Sequence, residues 1–377
     1  MNILEQNDQL GFYMVGEEKH HIKPRALIKA TETGHFPEWN FNRESFEKFP
    51  WHVEPETNLK ELYRLRAQQI RDKYDYIRLE VSGGGDSSTV AYSFINNKIH
   101  LDEVVFRYPK TGEKNVTDDP FNTKPENTLS EFKYAAKPLL EWIAVHSPRT
   151  KITIHDYSED MLVSGHDEGW IFRTKDYFQP GHAFKHTVDA VDSHKRTLDQ
   201  GLQVCMLWGV DKPKVCIKDK KWYLYFMTNE YFYWSPELPE LLAKQAHMIK
   251  AWFDQPHNKY LQHLARWPNY SFAQRTTFEH IIKPLIYPDY DPTTFQTSKP
   301  TNSFYNEMDQ WFYTNFQETR AFKVWRAGLD YLVKNIDAKF FNNEMGRPVG
   351  FVGFISPFYY LGDAAFADPG TNTHFKF

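Results

Sequence analysis

Ser82-Gly83-Gly84-Gly85-Asp86-Ser87-Ser88 is the most informative segment of this chain. Ahead of it, Tyr76-Ile77-Arg78-Leu79-Glu80-Val81 alternates, with Ile77, Leu79 and Val81 on one side, the period of a strand. Behind it, Thr89-Val90-Ala91-Tyr92-Ser93-Phe94-Ile95 is apolar enough for a buried helix, closed by Asn96-Asn97. Three consecutive glycines let the backbone turn sharply and approach a ligand closely. A helix that starts here points its free N–H groups into the turn, and those amides together with the helix dipole favour an anion, phosphate above all. Ser82, Ser87 and Ser88 add hydroxyls around the same space. Asp86 alone would repel phosphate. A divalent cation shared between Asp86 and the phosphates accounts for it, because Mg2+ binds through one or two carboxylates plus phosphate oxygens. A plain linking turn has no use for this composition, since three glycines cost entropy and contribute no packing.

Other phosphate motifs fit less well. The Walker A pattern needs Gly-Lys-Ser/Thr, which the chain lacks. The dinucleotide fingerprint needs a third small residue and an acid near the end of the second strand, but Ser88 stands at the third glycine and that strand ends Arg107-Tyr108-Pro109.

Working outward, Asn58 to Lys73 has helical spacing, and Asp102 to Tyr108 reads as the next strand. Glu126 to Val145 reads as a helix, Lys151 to His155 as a strand, His182 to Gln200 as a helix, and Gln203 to Gly209 as a strand. This alternation predicts an α/β fold with a parallel sheet and crossover helices. Residues 1–57 show no clean period and read as an irregular N-terminal arm. Residues 58–230 form the α/β unit. From residue 231 the texture changes to two long helical patterns, Pro236 to Asp254 and Asn302 to Asn335, with a loop marked by Pro284-Leu285-Ile286-Tyr287-Pro288 and Asp289-Tyr290-Asp291-Pro292. Residues 231–377 therefore read as a mainly helical, aromatic-rich C-terminal domain.

The 377 residues carry 45 Lys+Arg against 49 Asp+Glu, a net charge of −4. That excludes a generally basic nucleic-acid-binding protein and leaves room for a local basic patch. Two cysteines, Cys205 and Cys216, exclude a disulfide scaffold and any Cys-rich metal site. No signal-peptide pattern opens the chain, and no stretch nears the ~18 apolar residues that span a bilayer, so a soluble cytoplasmic protein is expected. Aromatic residues make up 17%, which favours well-packed domains and a protein-contacting surface in the C-terminal region.

The loop resembles the PP-loop, Ser-Gly-Gly-x-Asp-Ser-Ser/Thr, of the N-type ATP pyrophosphatases, the adenine nucleotide alpha-hydrolases. The specific resemblance covers about residues 58–110 and is most like the synthetase domain of asparagine synthetases. It implies a HUP-like, Rossmann-like sheet. ATP would lie with its pyrophosphate over Ser82, Gly83, Gly84, Gly85, Ser87 and Ser88, with Mg2+ held by Asp86. An oxygen of a second substrate would be adenylated, pyrophosphate released, and the activated group passed to a nitrogen nucleophile. The main work of such a protein is positioning and charge neutralisation.

Trp208-Gly209-Val210-Asp211-Lys212-Pro213-Lys214 follows the last strand, where ligands of open α/β sheets bind. By the same resemblance, Asp211 is a candidate metal ligand, and Lys212 or Lys214 a candidate to neutralise pyrophosphate. The Gly-x-x-x-Asp-Glu pattern of asparagine synthetases is not reproduced. Phe106 and Tyr108 lie where the family holds adenine, with Phe106 equally readable as core. His182, His186 and His194, with Lys185, Lys195 and Arg196, load one expected helix; His182 and His186 share a face, and His-Glu-x-x-His is absent. Cys205 reads as a buried hydrophobe and Cys216 as exposed; neither forms Cys-x-x-Cys. Arg347, in Gly346-Arg347-Pro348, is a candidate anion contact in a lid or pocket loop. Two alternatives stand beside the ligase: a phosphoadenylyl-sulfate reductase-like or sulfur-transferring enzyme, and a non-catalytic ATP-binding or interaction protein.

Overall fold

A computed structural model describes residues 8–108, 132–156, 168–172, 178, 197, 199–210, 212–227, 230–268, 272–291, 317–344 and 347–365. In chain order the elements are β1 (Phe12–Val15), β2 (Glu18–His20), α1 (Lys23–Thr33), β3 (Glu38–Asn40), α2 (Arg43–Phe46), α3 (Leu59–Lys73), β4 (Tyr76–Val81), α4 (Gly85–Ile95) and β5 (Glu103–Tyr108). They continue with α5 (Lys137–His146), β6 (Lys151–Asp156), β7 (Val204–Trp208), β8 (Lys214–Lys218), β9 (Lys221–Tyr225), α6 (Pro239–Phe253) and α7 (Phe272–Ile286). The last are α8 (Arg320–Asn335), β10 (Phe341–Glu344), β11 (Arg347–Phe351) and β12 (Tyr359–Asp363).

The chain is mixed α/β, and its centre is a four-stranded parallel sheet in the order β6-β5-β4-β7. The chain steps outward from β4 to β6, then returns to the far side of β4 with β7. Strand order therefore reverses at β4. An open sheet of this kind, compatible with a Rossmann-like core, leaves a crevice at the carboxyl ends of the two strands flanking the reversal.

Alternation along the strands gives the sheet two unlike faces. Ile77, Leu79, Val81, Val104, Phe106, Cys205 and Leu207 are buried in one core with Leu62, Ala67 and Ile70 of α3, Val90, Ala91 and Phe94 of α4, and Leu139 and Ile143 of α5. Helix α3 starts where Asn58 accepts from the Glu61 amide at 3.0 Å, an N-cap bond. The opposite face buries charge. Glu80 accepts from Arg78 at 2.6 Å and from Arg107 Nε at 3.0 Å, and Glu103 accepts from the Tyr76 hydroxyl at 2.9 Å.

The antiparallel sheet β8-β9-β12 buries Val215, Ile217, Trp222, Leu224 and Leu361 in the same core, with α6 and α7. A second core joins both ends of the described chain: Val15, Leu27 and Ala30 pack with Trp170, Phe178, Trp325, Leu332, Phe340 and Phe351.

The expected strands fall at β4, β5, β6 and β7, each within a residue or two of its predicted bounds. The expected irregular arm instead contains an antiparallel sheet, β2-β1-β3, and α1, which has Pro24 in its first turn and ends at Gly34 with φ 75°. Strands of three or four residues are too short to show a period, which is why they escape a sequence pattern. Beyond residue 231 the described chain is not helical alone. It adds β10, β11 and β12, and α7 takes in Pro284-Leu285-Ile286, expected as a loop. Residues 126–131 and 302–316 of two expected helices lie outside the described residues, as does most of 182–200.

Candidate functional site

At the carboxyl end of β4 the chain turns through Ser82, Gly83 and Gly84. Gly83 has φ 74°, and a Cβ there would fall 2.4 Å from the Ala135 carbonyl carbon and 2.5 Å from the Ala136 nitrogen. Only glycine satisfies both conditions. Helix α4 begins at Gly85, with Gly84 as N-cap and no side chain capping it. The amides of its first turn have no intrahelical acceptor. Two serines shape the turn: Ser82 Oγ accepts from the Gly84 amide at 3.3 Å, and Ser87 Oγ accepts from the Ser82 amide at 3.2 Å. Ser88 differs. Its hydroxyl is buried and, among the described residues, has no hydrogen-bond partner. A buried hydroxyl without a partner costs about 1–3 kcal/mol, and natural structures keep few of them.

Asp86 sits in the first turn of α4. Its carboxylate accepts from the Tyr287 hydroxyl and pairs with Lys212 Nζ at 3.3 Å, and its backbone carbonyl accepts from the Tyr233 hydroxyl at 2.5 Å. Lys212 is buried and lies 3.7 Å from a Glu279 carboxylate oxygen as well. Gly209 permits this. A Cβ on it would come within 2.3 Å of Ser87 Cα, so the chain leaving β7 crosses tight against the first turn of α4 on its way to Lys212.

Tyrosines surround Asp86. Tyr63 donates to the Ile286 carbonyl at 2.8 Å and accepts from Gln245 at 2.7 Å. Burial pushes the phenols of Tyr63, Tyr233 and Tyr287 well above 10, so they stay protonated and act as donors. The Tyr290 ring lies 3.1 Å from where a Gly85 Cβ would stand, so the end of α7 and the turn after it cover the loop. Tyr233 is fastened from behind: Glu230 accepts from the amides of Phe232 at 2.8 Å, Trp234 at 3.0 Å and Tyr233. Arg66 donates to the carbonyls of Tyr231 at 2.6 Å and Phe232 at 3.1 Å. Burial pushes the Glu230 carboxyl up to about 8.

The structure thus gathers Ser82, Gly83, Gly84, Gly85, Asp86, Ser87, Ser88 and Lys212 at the point where strand order reverses. Phe106 is placed differently. Its ring is buried in the core, stacked on Phe132 at 5.5 Å, while its backbone pairs in register with Val81 beside the loop. Lys214 begins β8, and Arg347 begins β11 opposite Glu344. Asp211, His182, His186, His194, Lys185, Lys195 and Arg196 lie outside the described residues. Cys216, expected exposed, is buried like Cys205, and burial pushes both thiols up to about 12. Such thiols are poor nucleophiles near neutral pH.

Among the described residues no three His, Cys, Asp or Glu side chains gather to hold a metal ion. Asp86 and Glu279 instead bring two carboxylates around one buried ammonium. That donor set fits Mg2+, which takes one or two carboxylates and completes its sphere with phosphate and water.

Tyr233, Tyr287, Tyr290 and Glu279 were not found by pattern. Tyr287-Pro288-Asp289-Tyr290 carried a signal, two tyrosines on a proline turn, whereas Glu279 on an ordinary helix carried none. No described helix is long and apolar enough to cross a membrane. No protein-family model, no curated protein and no solved structure matches this chain.

Proposed function

We propose that this chain is a Mg-ATP-dependent ligase or transferase that forms AMP and pyrophosphate on a Rossmann-like, HUP-type core. The observation that carries the reading is the uncapped start of α4, with the buried, unpartnered Ser88 hydroxyl beside it and Lys212 brought to Asp86. An anionic guest answers all three features. It accepts the first-turn amides, gives the Ser88 hydroxyl an acceptor, and competes with Asp86 for Lys212.

The residues divide the work as follows. The amides of Gly85, Asp86 and Ser87 bind the pyrophosphate end of ATP, and Gly83 keeps the backbone close. Asp86 and Glu279 would hold Mg2+, which neutralises charge on the phosphate oxygens. Lys212 faces the oxygen that carries negative charge when the bond from the α-phosphorus to the bridging oxygen breaks. The attacking oxygen belongs to a carboxylate or amide of the second substrate, which becomes an AMP ester. A nitrogen nucleophile then displaces AMP. Stabilising the departing charge by one positioned donor contributes about 100- to 1,000-fold. The two buried thiols argue against sulfur transfer through Cys205 or Cys216.

The test is product analysis with ATP labelled at the α-phosphate, Mg2+ and a panel of carboxylate, amide and amine compounds. AMP and pyrophosphate appearing in equal amounts, dependent on a second substrate, is the expected result. ADP and phosphate, or ATP bound without turnover across the panel, would remove the proposal.

A further inference from the structure

The antiparallel sheet β8-β9-β12 covers the main core with one face and leaves the other partly open. On the outer face Tyr223 and Tyr225 of β9 stand beside Tyr360 of β12, and Trp267 and Phe358 extend the row. The five rings touch in sequence. Tyr360 lies 6.1 Å from Tyr223, Tyr223 lies 5.8 Å from Phe358, and Phe358 lies 5.5 Å from Tyr225 and 5.2 Å from Trp267. None of the five is buried, and Tyr360 is 40% exposed. A contiguous row of half-exposed rings marks an interaction site, because aromatic surface left in water forgoes its burial energy.

Lysines border the row. Lys218 Nζ lies 5.1 Å from the Phe358 ring centroid, and Lys221 Nζ lies 5.6 Å from that of Tyr360. Lys214 is the cross-strand partner of Tyr225, and Lys218 that of Lys221. Like charges directly opposite on a sheet repel. No carboxylate among the described residues forms an ion pair with Lys218, Lys220 or Lys221. Between Lys214 and Lys221 the chain has four lysines and one aspartate, in a protein whose net charge is −4. The basic patch is therefore local and coincides with the rings.

We infer that this face binds single-stranded nucleic acid. Its bases stack on the row of rings, and its phosphates meet Lys218 and Lys221, which stand opposite each other in the β8–β9 pair. Flat unpaired bases alternating with negative charge match both halves of the surface, whereas a duplex hides its base faces. The face begins two residues after Lys212, yet the inference stands apart from the nucleotide reading of the loop and survives its failure.

The test is fluorescence anisotropy of the full chain with labelled oligouridylate and oligothymidylate of about 12 nucleotides. Single strands should bind, with the stronger of the two identifying RNA or DNA as the guest. The double variant Lys218→Gln/Lys221→Gln, at two exposed positions, should flatten the slope of log affinity against log salt by about 1.4, or 0.7 per lysine. Tyr360→Ala should weaken binding about tenfold at unchanged melting temperature. Any of three results overturns the inference: no binding of either strand, equal binding of a duplex of the same length, or affinity and salt slope unmoved in the folded lysine variant. Capture by anionic lipid vesicles without oligonucleotide binding overturns it as well.

Discussion

Lys212 Nζ stands 3.3 Å from Asp86 Oδ2 although 126 residues separate the two along the chain. A buried ammonium here joins the first turn of α4 to the segment after β7 and, through Glu279, to α7. The pair lies beside the strand at which the sheet order reverses. Replacing Lys212 with methionine keeps the length of the side chain and removes the charge. Lys212→Met should lower AMP formation at least about 100-fold, and Asp86→Asn should do the same. Both are read by AMP release beside a melting curve. Full turnover in Asp86→Asn would remove the metal role assigned to that carboxylate.

Gly83 and Gly34 share nearly the same positive φ, 74° and 75°, but not the same surroundings. A Cβ on Gly34 meets nothing within 4 Å, whereas one on Gly83 strikes the Ala135–Ala136 peptide. Gly34→Ala should cost about 1–2 kcal/mol, the ordinary penalty of a left-handed residue. Gly83→Ala should cost clearly more, because backbone must move to admit it. Denaturant midpoints of the two variants decide; equal losses would mean that the loop does not press against α5's approach.

Ser88 separates a ligand role from a structural one. Among the described residues its hydroxyl has no partner, so Ser88→Ala should leave stability unchanged or raise it by up to about 1 kcal/mol. If the hydroxyl serves the anion, the same change should weaken ATP binding about tenfold, close to one hydrogen bond to a charged group. Calorimetric titration measures the second, thermal melting the first. A loss of stability with no loss of binding would make Ser88 a packing residue.

Glu230 supplies a pH signature. Burial raises its carboxyl to about 8, above the ordinary value of 4.5 that holds in the unfolded chain. The native state then binds more protons than the unfolded state between those values. Its contribution is fully present below about pH 4.5 and is lost as pH rises through about 8. Stability from this group should fall by up to about 1.4 kcal/mol per pH unit across that window. The slope should vanish in Glu230→Gln, which keeps the shape and cannot ionise. Melting temperatures from pH 5 to pH 8 check this; an identical slope in both proteins would assign it elsewhere.

How much was legible from residues alone follows a physical division. Local features were. The alternation of Ile77, Leu79 and Val81 announced a strand with one apolar face, and Gly83-Gly84-Gly85 announced a turn that only glycine can make. Both depend on neighbours within a few residues, where steric rules and side-chain period act. The three-residue strands β2 and β3 were not, because a period of two cannot be recognised over so short a run.

Residue order along the chain was enough for the parallel strands and for the sharp turn after β4, since these are written in backbone sterics and hydrophobic period. What stands around Asp86 was set by packing between distant segments. Lys212, Tyr233, Glu279 and Tyr287 reach it from segments that carry no shared pattern along the chain. Their meeting depends on which faces bury against each other once the sheet closes over its core, and on the room that Gly209 leaves beside Ser87. Packing between distant segments has no signature in a single sequence, because burial rewards any apolar partner of suitable shape.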